Sequence, residues 1–156
     1  MIDLNIPGIG NIQILHLVLD VNGTLALDGK LLDGIPRAIA SISNRLDVHL
    51  ITADTHGHQD QIDRLLNLTA VRLTPGNEAT QKAEYIRSLG GHHCAAIGQG
   101  ANDALMLSEA FLGIAIISPE GLCTETLKAS RVVMPDIYSA FNFLENPLRI
   151  VATLRS

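Results

Sequence analysis

Tryptophan is absent from this chain, and aromatic residues make up only 3% of it. The apolar fraction of 47% is carried almost entirely by Leu, Ile, Val and Ala. Aliphatic side chains of that kind suit parallel strands buried on both faces beneath helices. Two cysteines, Cys94 and Cys123, are too few and too far apart for a zinc cluster. They read as small buried residues of a reducing compartment. An excess of basic residues is missing as well. With a net charge of −5 the chain has no electrostatic footprint for nucleic acid or an anionic membrane surface. Apolar runs such as "GIAII" at 113–117 fall far short of a spanning helix. The opening "MIDLNIPGIG" lacks the basic and then apolar pattern of a signal peptide. The expectation is a soluble, cytoplasmic protein with no nucleic-acid or membrane partner, folded as one domain over residues 1–156.

What is present is alternation. Short β-branched runs at 2–6, 12–19, 47–52, 69–73, 93–97, 112–117 and 131–133 read as strands. Between them, helical spacing occurs at 35–45, 57–67, 77–89, 101–110, 121–128 and 136–144, with a short last stretch at 147–154. In the first of these Ile35, Ala38, Ile39, Ile42 and Leu46 share one face, and Pro36 sits in the first turn. The series predicts βαβ units: an α/β, three-layer Rossmann-like parallel sheet with helices on both faces. "LDGK" at 27–30 marks an Asp-Gly turn, hence a small β-hairpin flap over about 25–33. A second hairpin, made by the first strand and "IPGIGN", is expected at one edge of the sheet.

Ligands of an open parallel sheet collect at the carboxyl ends of its strands. Those ends carry a coherent set here: Asp20 in "LHLVLDVNGTL", Thr52 and Asp54 in "LITADT", and "GQGAND" at 98–103. Lys82 lies near the start of the helix after the fourth strand. A carboxylate, a hydroxyl, a lysine and a Gly-rich turn at one sheet edge make a phosphoryl-transfer site. Asp20 would be the nucleophile, dividing one hard hydrolysis into two steps through an acyl phosphate. Gly23 lets the chain bend around the anion, so that backbone N–H groups of Val21, Asn22, Gly23 and Thr24 can face its oxygens. Thr52 with the adjoining Ala53 amide, and the charge of Lys82, would complete the cradle.

"DVNGTL" resembles the first motif of the haloacid dehalogenase superfamily, usually DxDGT(L/V). "LITADT" is similar to its second motif, Lys82 fits the third, and "GQGANDALML" the fourth, commonly GDGxNDxxML. All four occur in order across nearly the whole chain. The resemblance is greatest to the phosphorylation domains of P-type ATPases, which carry DKTGT, TGD and GDGxND, and to small soluble proteins like them. The gaps before Thr52 and Lys82 are too short for a cap domain. The resemblance implies an Mg²⁺-dependent phosphatase with Asp20, Asn22, Thr52 and Lys82 as its catalytic set. The metal would be held by Asp20, the backbone carbonyl of Asn22, Gln99 and Asp103, with Asp54 and Asn102 accessory.

Two residues depart from that pattern. Asn22 stands where phosphatases of the superfamily have the acid that protonates the leaving group and activates water. Gln99 stands where they place a metal-binding Asp, and a carboxamide brings no charge to a cation that favours hard, anionic oxygens. Slow hydrolysis and weak Mg²⁺ binding follow. Two alternatives remain open: a catalytically degenerate phosphate-site module with a binding or regulatory role, and an autophosphorylating domain that stores phosphate on Asp20. The partner expected is a phosphorylated small molecule or a phosphate displayed on a larger one, and association with further copies of the chain is left open. Histidines in "HGH" at 56–58 and at 92–93 read as surface or strand residues.

Overall fold

A computed structural model describes all 156 residues. Six strands form one wholly parallel sheet: β3 (His16–Asp20), β6 (Asp47–Thr52), β7 (Val71–Arg72), β8 (Cys94–Gly98), β9 (Leu112–Ile116) and β10 (Val132–Met134). Their spatial order is β10-β9-β8-β3-β6-β7. The chain therefore builds outward from β3 in one direction through β6 and β7, then crosses back to β8. That reversal opens a crevice at the carboxyl ends of β3 and β8, where an open sheet receives ligands.

Period-two alternation in β3 sorts the layers. Leu17 and Leu19 point into a large cluster with Ile35, Ile39 and Ile42 of α1 (Ile35–Ile42) and Ile62 of α2 (Gln59–Leu66). Phe141 and Leu144 of α6 (Ile137–Glu145) and Ile150 of α7 (Pro147–Leu154) complete that layer. Val18 points the other way, among Ile86 of α3 (Glu78–Ser88) and Met106 and Leu107 of α4 (Ala104–Glu109). A short α5 (Thr124–Ala129) leads into β10. Asp20 shares the parity of Val18, so the strand delivers it to the α3 side, where Lys82 lies. At the other end of that face, His16, His49 and Tyr85 form a hydrogen-bonded chain with separations of 3.1 and 2.9 Å. These histidines therefore lie away from the crevice.

The three-layer α/β architecture expected from the sequence is found, with three local differences. Residues 12–19 are not one strand. β1 (Ile2–Ile6) and β2 (Gly10–Ile14) pair antiparallel as a separate two-stranded sheet, not as an edge of the main one. Leu15 is the reason: its N–H donates to the His93 carbonyl and its own carbonyl accepts from Asp47, so the chain changes partners there. Residues 101–110 begin as a 3₁₀ turn, Ala101–Asp103, before α4. The helix expected from residue 121 starts at Thr124, because Ser118 and Gly121 first close a tight turn by mutual backbone hydrogen bonds. The flap forms as drawn, from β4 (Ala26–Leu27) and β5 (Lys30–Leu31). No domain is inserted between β3 and β6, or between β6 and α3, and no helix is long and apolar enough to cross a membrane.

Helix α4 packs against the sheet backbone to backbone. A Cβ built on Gly113 of β9 would stand 2.3 Å from the Leu107 carbonyl oxygen, so no side chain fits there. Gly113→Ala is expected to cost about 1–3 kcal/mol, the usual range for overpacking a rigid contact. Urea unfolding of the two proteins measures it.

Candidate active site

The crevice is organised around one ammonium group. Lys82 Nζ lies 2.6 Å from Asp20 Oδ1, 2.7 Å from Asp103 Oδ1 and 3.3 Å from Asn102 Oδ1. Lys82 is 1% exposed, Asp103 0% and Asp20 6%. Burial opposes the lysine's charge, but the carboxylates of Asp20 and Asp103 outweigh it and hold its pKa above the ordinary lysine value. Asp20 moves upward too. Burial, and then the Asp103 charge, push its carboxyl from 3.8 to about 7, against the pull of Lys82 and Thr24. Two buried carboxylates sharing one cation leave the cluster one negative charge in excess, which explains why Asp20 retains its proton so readily.

Each element of the cluster is fixed by its neighbours. Thr24 Oγ1 donates to Asp20 Oδ2 at 3.0 Å, so lysine and threonine each hold one carboxylate oxygen. Asp103 Oδ2 accepts from the N–H groups of Gln99 and Gly100 at 2.9 and 3.0 Å. That arrangement requires a glycine before Gln99, because a Cβ on Gly98 would stand 2.5 Å from Asp103 Cγ. Across the cleft, Asn22 Nδ2 reaches Thr52 Oγ1 at 3.3 Å and Thr55 Oγ1 at 3.4 Å. Thr52 is itself held, accepting from the Asp54 N–H at 2.9 Å.

Between these groups lies a cleft of about 390 Å³ lined by Asp20, Asn22, Ala53, Thr55, Lys82, Gln99, Gly100, Ala101 and Asn102. A larger groove of about 600 Å³ runs along the β1–β2 hairpin beside His92 and His93. It has no buried charged side chain in its lining, whereas the smaller cleft is lined by the buried Asp20 and Lys82.

Most residues singled out in the sequence converge here, but several do so in different roles. The N–H groups of Gly23 and Thr24 are committed to their own turn, donating to the Ala26 and Val21 carbonyls, so they are not open to an anion. Those of Asn22 and Ala53 donate to no backbone carbonyl in the loops and remain available. The Val21 side chain is wholly buried in the larger cluster. Thr24 is buried and serves Asp20 instead of a ligand. Asp54 does not face the cleft: it takes a left-handed conformation (φ 49°), and its Oδ1 accepts from Gln59 N–H at the start of α2. Thr55 and Glu120 were missed. Thr55 follows the second motif with no pattern to mark it, and Glu120 lies 100 residues after Asp20 in the sequence, reaching the site only through the loop before α5.

For a divalent cation the donors are few. No three His, Cys, Asp or Glu side chains group as a metal cluster. Asp20 brings a carboxylate, the Asn22 carbonyl accepts no backbone hydrogen bond from the loops, and Gln99 Oε1 accepts none at all. These are hard oxygens that fit Mg²⁺, but with a single formal charge among them. Asp103 is fully buried behind the cleft instead of lining it, with its oxygens on Lys82 and the Gln99 and Gly100 amides, so its contact is with Lys82.

No family model matches the chain. Its fold does have clear likenesses, among them phosphatases and hydrolases of the haloacid dehalogenase type. The 3-deoxy-D-manno-octulosonate 8-phosphate phosphatase of Moraxella catarrhalis, solved with magnesium, phosphate and a sugar molecule, superposes with a TM-score of 0.64 at 20% identity, over 91% of this chain and 94% of that one. The cobalt-bound enzyme of Haemophilus influenzae gives 0.71 at 12% identity, over 92% and 94%. A phosphoserine phosphatase gives 0.66 at 12% identity, over 86% and 99%. The chain thus has the haloacid dehalogenase fold, in a form without a cap.

By sequence it is similar to an uncharacterised protein of Methanocaldococcus jannaschii, MJ0073, being 45% identical over 60 residues. That match spans 38% of this chain and 64% of the relative, a little under two thirds of its length. A phospholipid-transporting ATPase of Caenorhabditis elegans is 32% identical over 104 residues, covering 66% of this chain and 8% of the pump.

The raised Asp20 pKa has a stability consequence. The folded carboxyl holds its proton up to about 7, the unfolded one to 3.8. Asp20 is therefore neutral in cost below about pH 4 and increasingly destabilising as pH rises through 7. In metal-free buffer Asp20→Asn should be the more stable protein at pH 7.5, by on the order of 2 kcal/mol, with the advantage shrinking toward pH 4. Urea midpoints across that range test the sign.

Proposed function

We propose that this protein is a phosphohydrolase that works through an aspartyl phosphate on Asp20, with Mg²⁺ as its metal, and that it turns over slowly. The observation that carries the reading is the buried Asp20–Lys82–Asp103 cluster with a hydroxyl, Thr24, fixing the remaining Asp20 oxygen. Such a costly arrangement of buried charge is hard to explain by stability, since a buried ion pair is weak support for a fold. It is what a held nucleophile with an adjacent cation requires.

In this reading a phosphate monoester enters the cleft with its oxygens toward the Asn22 and Ala53 amides, Thr52 Oγ1 and Lys82 Nζ. An Asp20 oxygen attacks phosphorus, the bond from phosphorus to the ester oxygen breaks, and the departing oxygen takes a proton from water. Lys82 opposes the charge gathering on the phosphoryl oxygens. Water then attacks the aspartyl phosphate and loses its proton to solvent. The bond from phosphorus to Asp20 breaks, releasing phosphate and restoring the carboxylate. A bound Mg²⁺, held by Asp20, the Asn22 carbonyl and Gln99, would neutralise phosphate charge as a Lewis acid.

Asn22 can neither give nor take a proton in these steps. Its amide instead ties Thr52 to Thr55, keeping the hydroxyl in place. Missing acid–base help costs about 10²–10⁴-fold. Slow release would also prolong the phosphorylated state. The capless cleft suits a good leaving group or a phosphate displayed on a larger molecule.

With an aryl phosphate and Mg²⁺, wild type should turn over slowly and Asp20→Asn not at all. Asn22→Asp together with Gln99→Asp should raise the rate by about 10²-fold or more. Absence of turnover in both the wild type and the double variant, with no beryllium fluoride retained on Asp20, would leave a phosphate-binding module as the better reading.

A further inference from the structure

The carboxylate missing at position 99 has a counterpart elsewhere in the chain. Glu120 Oε2 accepts a hydrogen bond from Gln99 Nε2 at 3.3 Å. A carboxylate can only accept, so this contact settles which prong of the carboxamide is which. The NH₂ group faces Glu120, and Oε1, which accepts no hydrogen bond, is left as the free prong beside the cleft that Gln99 lines.

Glu120 is placed there by structure on both sides. It sits in the Ser118–Gly121 turn, and its N–H donates to Ser118 Oγ at 3.1 Å. The same loop is fastened to the Gln99 segment twice: Cys123 N–H donates to the Gln99 carbonyl at 2.9 Å, and Thr126 Oγ1 to the Gly100 carbonyl at 2.6 Å. Below the pair lies Gly23, with φ 80°. A Cβ on Gly23 would stand 2.0 Å from Glu120 Oε2 and 2.2 Å from Gln99 Nε2. The glycine of the nucleophile loop therefore also makes room for this glutamate.

We infer that Gln99 and Glu120 act together as a divided substitute for one metal-binding aspartate: Gln99 offers the oxygen, and Glu120 supplies the negative charge and orients the carboxamide. Resting on the reading of this cleft as an Mg²⁺-using site, the inference makes Glu120 a positioning residue. A negative charge hydrogen-bonded to the amide N–H increases electron density on its oxygen and strengthens it as a ligand. It also restores part of the charge that a lone Asp20 carboxylate lacks toward a divalent cation.

Mn²⁺ is a suitable probe, titrated into the metal-free protein while the electron paramagnetic resonance signal of the free ion is read. Wild type should bind it, and Glu120→Gln should bind roughly tenfold or more weakly, as outer residues of metal sites commonly do. Gln99→Asp combined with Glu120→Gln moves the charge to position 99 and should recover wild-type affinity or better. Urea unfolding in chelator should give the same midpoint for Glu120→Gln as for wild type.

Equal Mn²⁺ affinity in wild type and Glu120→Gln overturns this inference and leaves the phosphohydrolase reading intact. Weakened binding that the double variant does not recover, or a lowered unfolding midpoint, also overturns it, because either marks a structural role. No Mn²⁺ bound by wild type at millimolar concentration overturns the inference together with the metal-dependent form of the proposed function.

Discussion

One buried lysine between two buried carboxylates governs this molecule. Lys82 is the sole cation that Asp20 and Asp103 contact, and all three are withdrawn from water. Removing charges from water costs several kcal/mol each, and one lysine cannot fully compensate two aspartates. The fold tolerates the cluster because each carboxylate oxygen that Lys82 does not reach has another partner: Thr24 on Asp20, and the Gln99 and Gly100 amides on Asp103. Burial and that imbalance of charge together hold the Asp20 carboxyl above its ordinary pKa.

The two amide positions alter that site in different ways. Asn22 brings no acid–base group, and its carboxamide bridges Thr52 and Thr55. Gln99 brings no charge, yet its carboxamide is partnered, since Glu120 accepts its N–H. Gly23 and Gly98 stand where any Cβ would strike the groups of the cleft, Glu120 and Gln99 at the first and Asp103 at the second.

Much of this was legible along the chain. Period-two and helical spacing located the strands and helices, because burial imposes those periods on the sequence. The ordered motifs around Asp20, Thr52, Lys82 and 98–103 marked the cleft, since a parallel sheet brings strand ends to one edge however far apart they are in sequence. Local chemistry was less legible. That the Gly23 and Thr24 amides turn inward, that Asp54 caps α2, and that the chain changes sheets at Leu15 depend on which hydrogen bonds compete best. Nothing in the residue types records that competition.

The sequence by itself determined the fold class, the place of Asp20 at the end of its strand and the amides at positions 22 and 99, because each follows from residue identity and spacing. Tertiary structure alone decided that Lys82 is shared between Asp20 and Asp103, that Thr24 holds the second Asp20 oxygen, and that Glu120 meets Gln99. The physical reason is range. Periodicity and motifs are properties of neighbours in the chain. The charge balance of a cleft is a sum over side chains brought within a few ångströms by separate loops, and no stretch of sequence carries that sum.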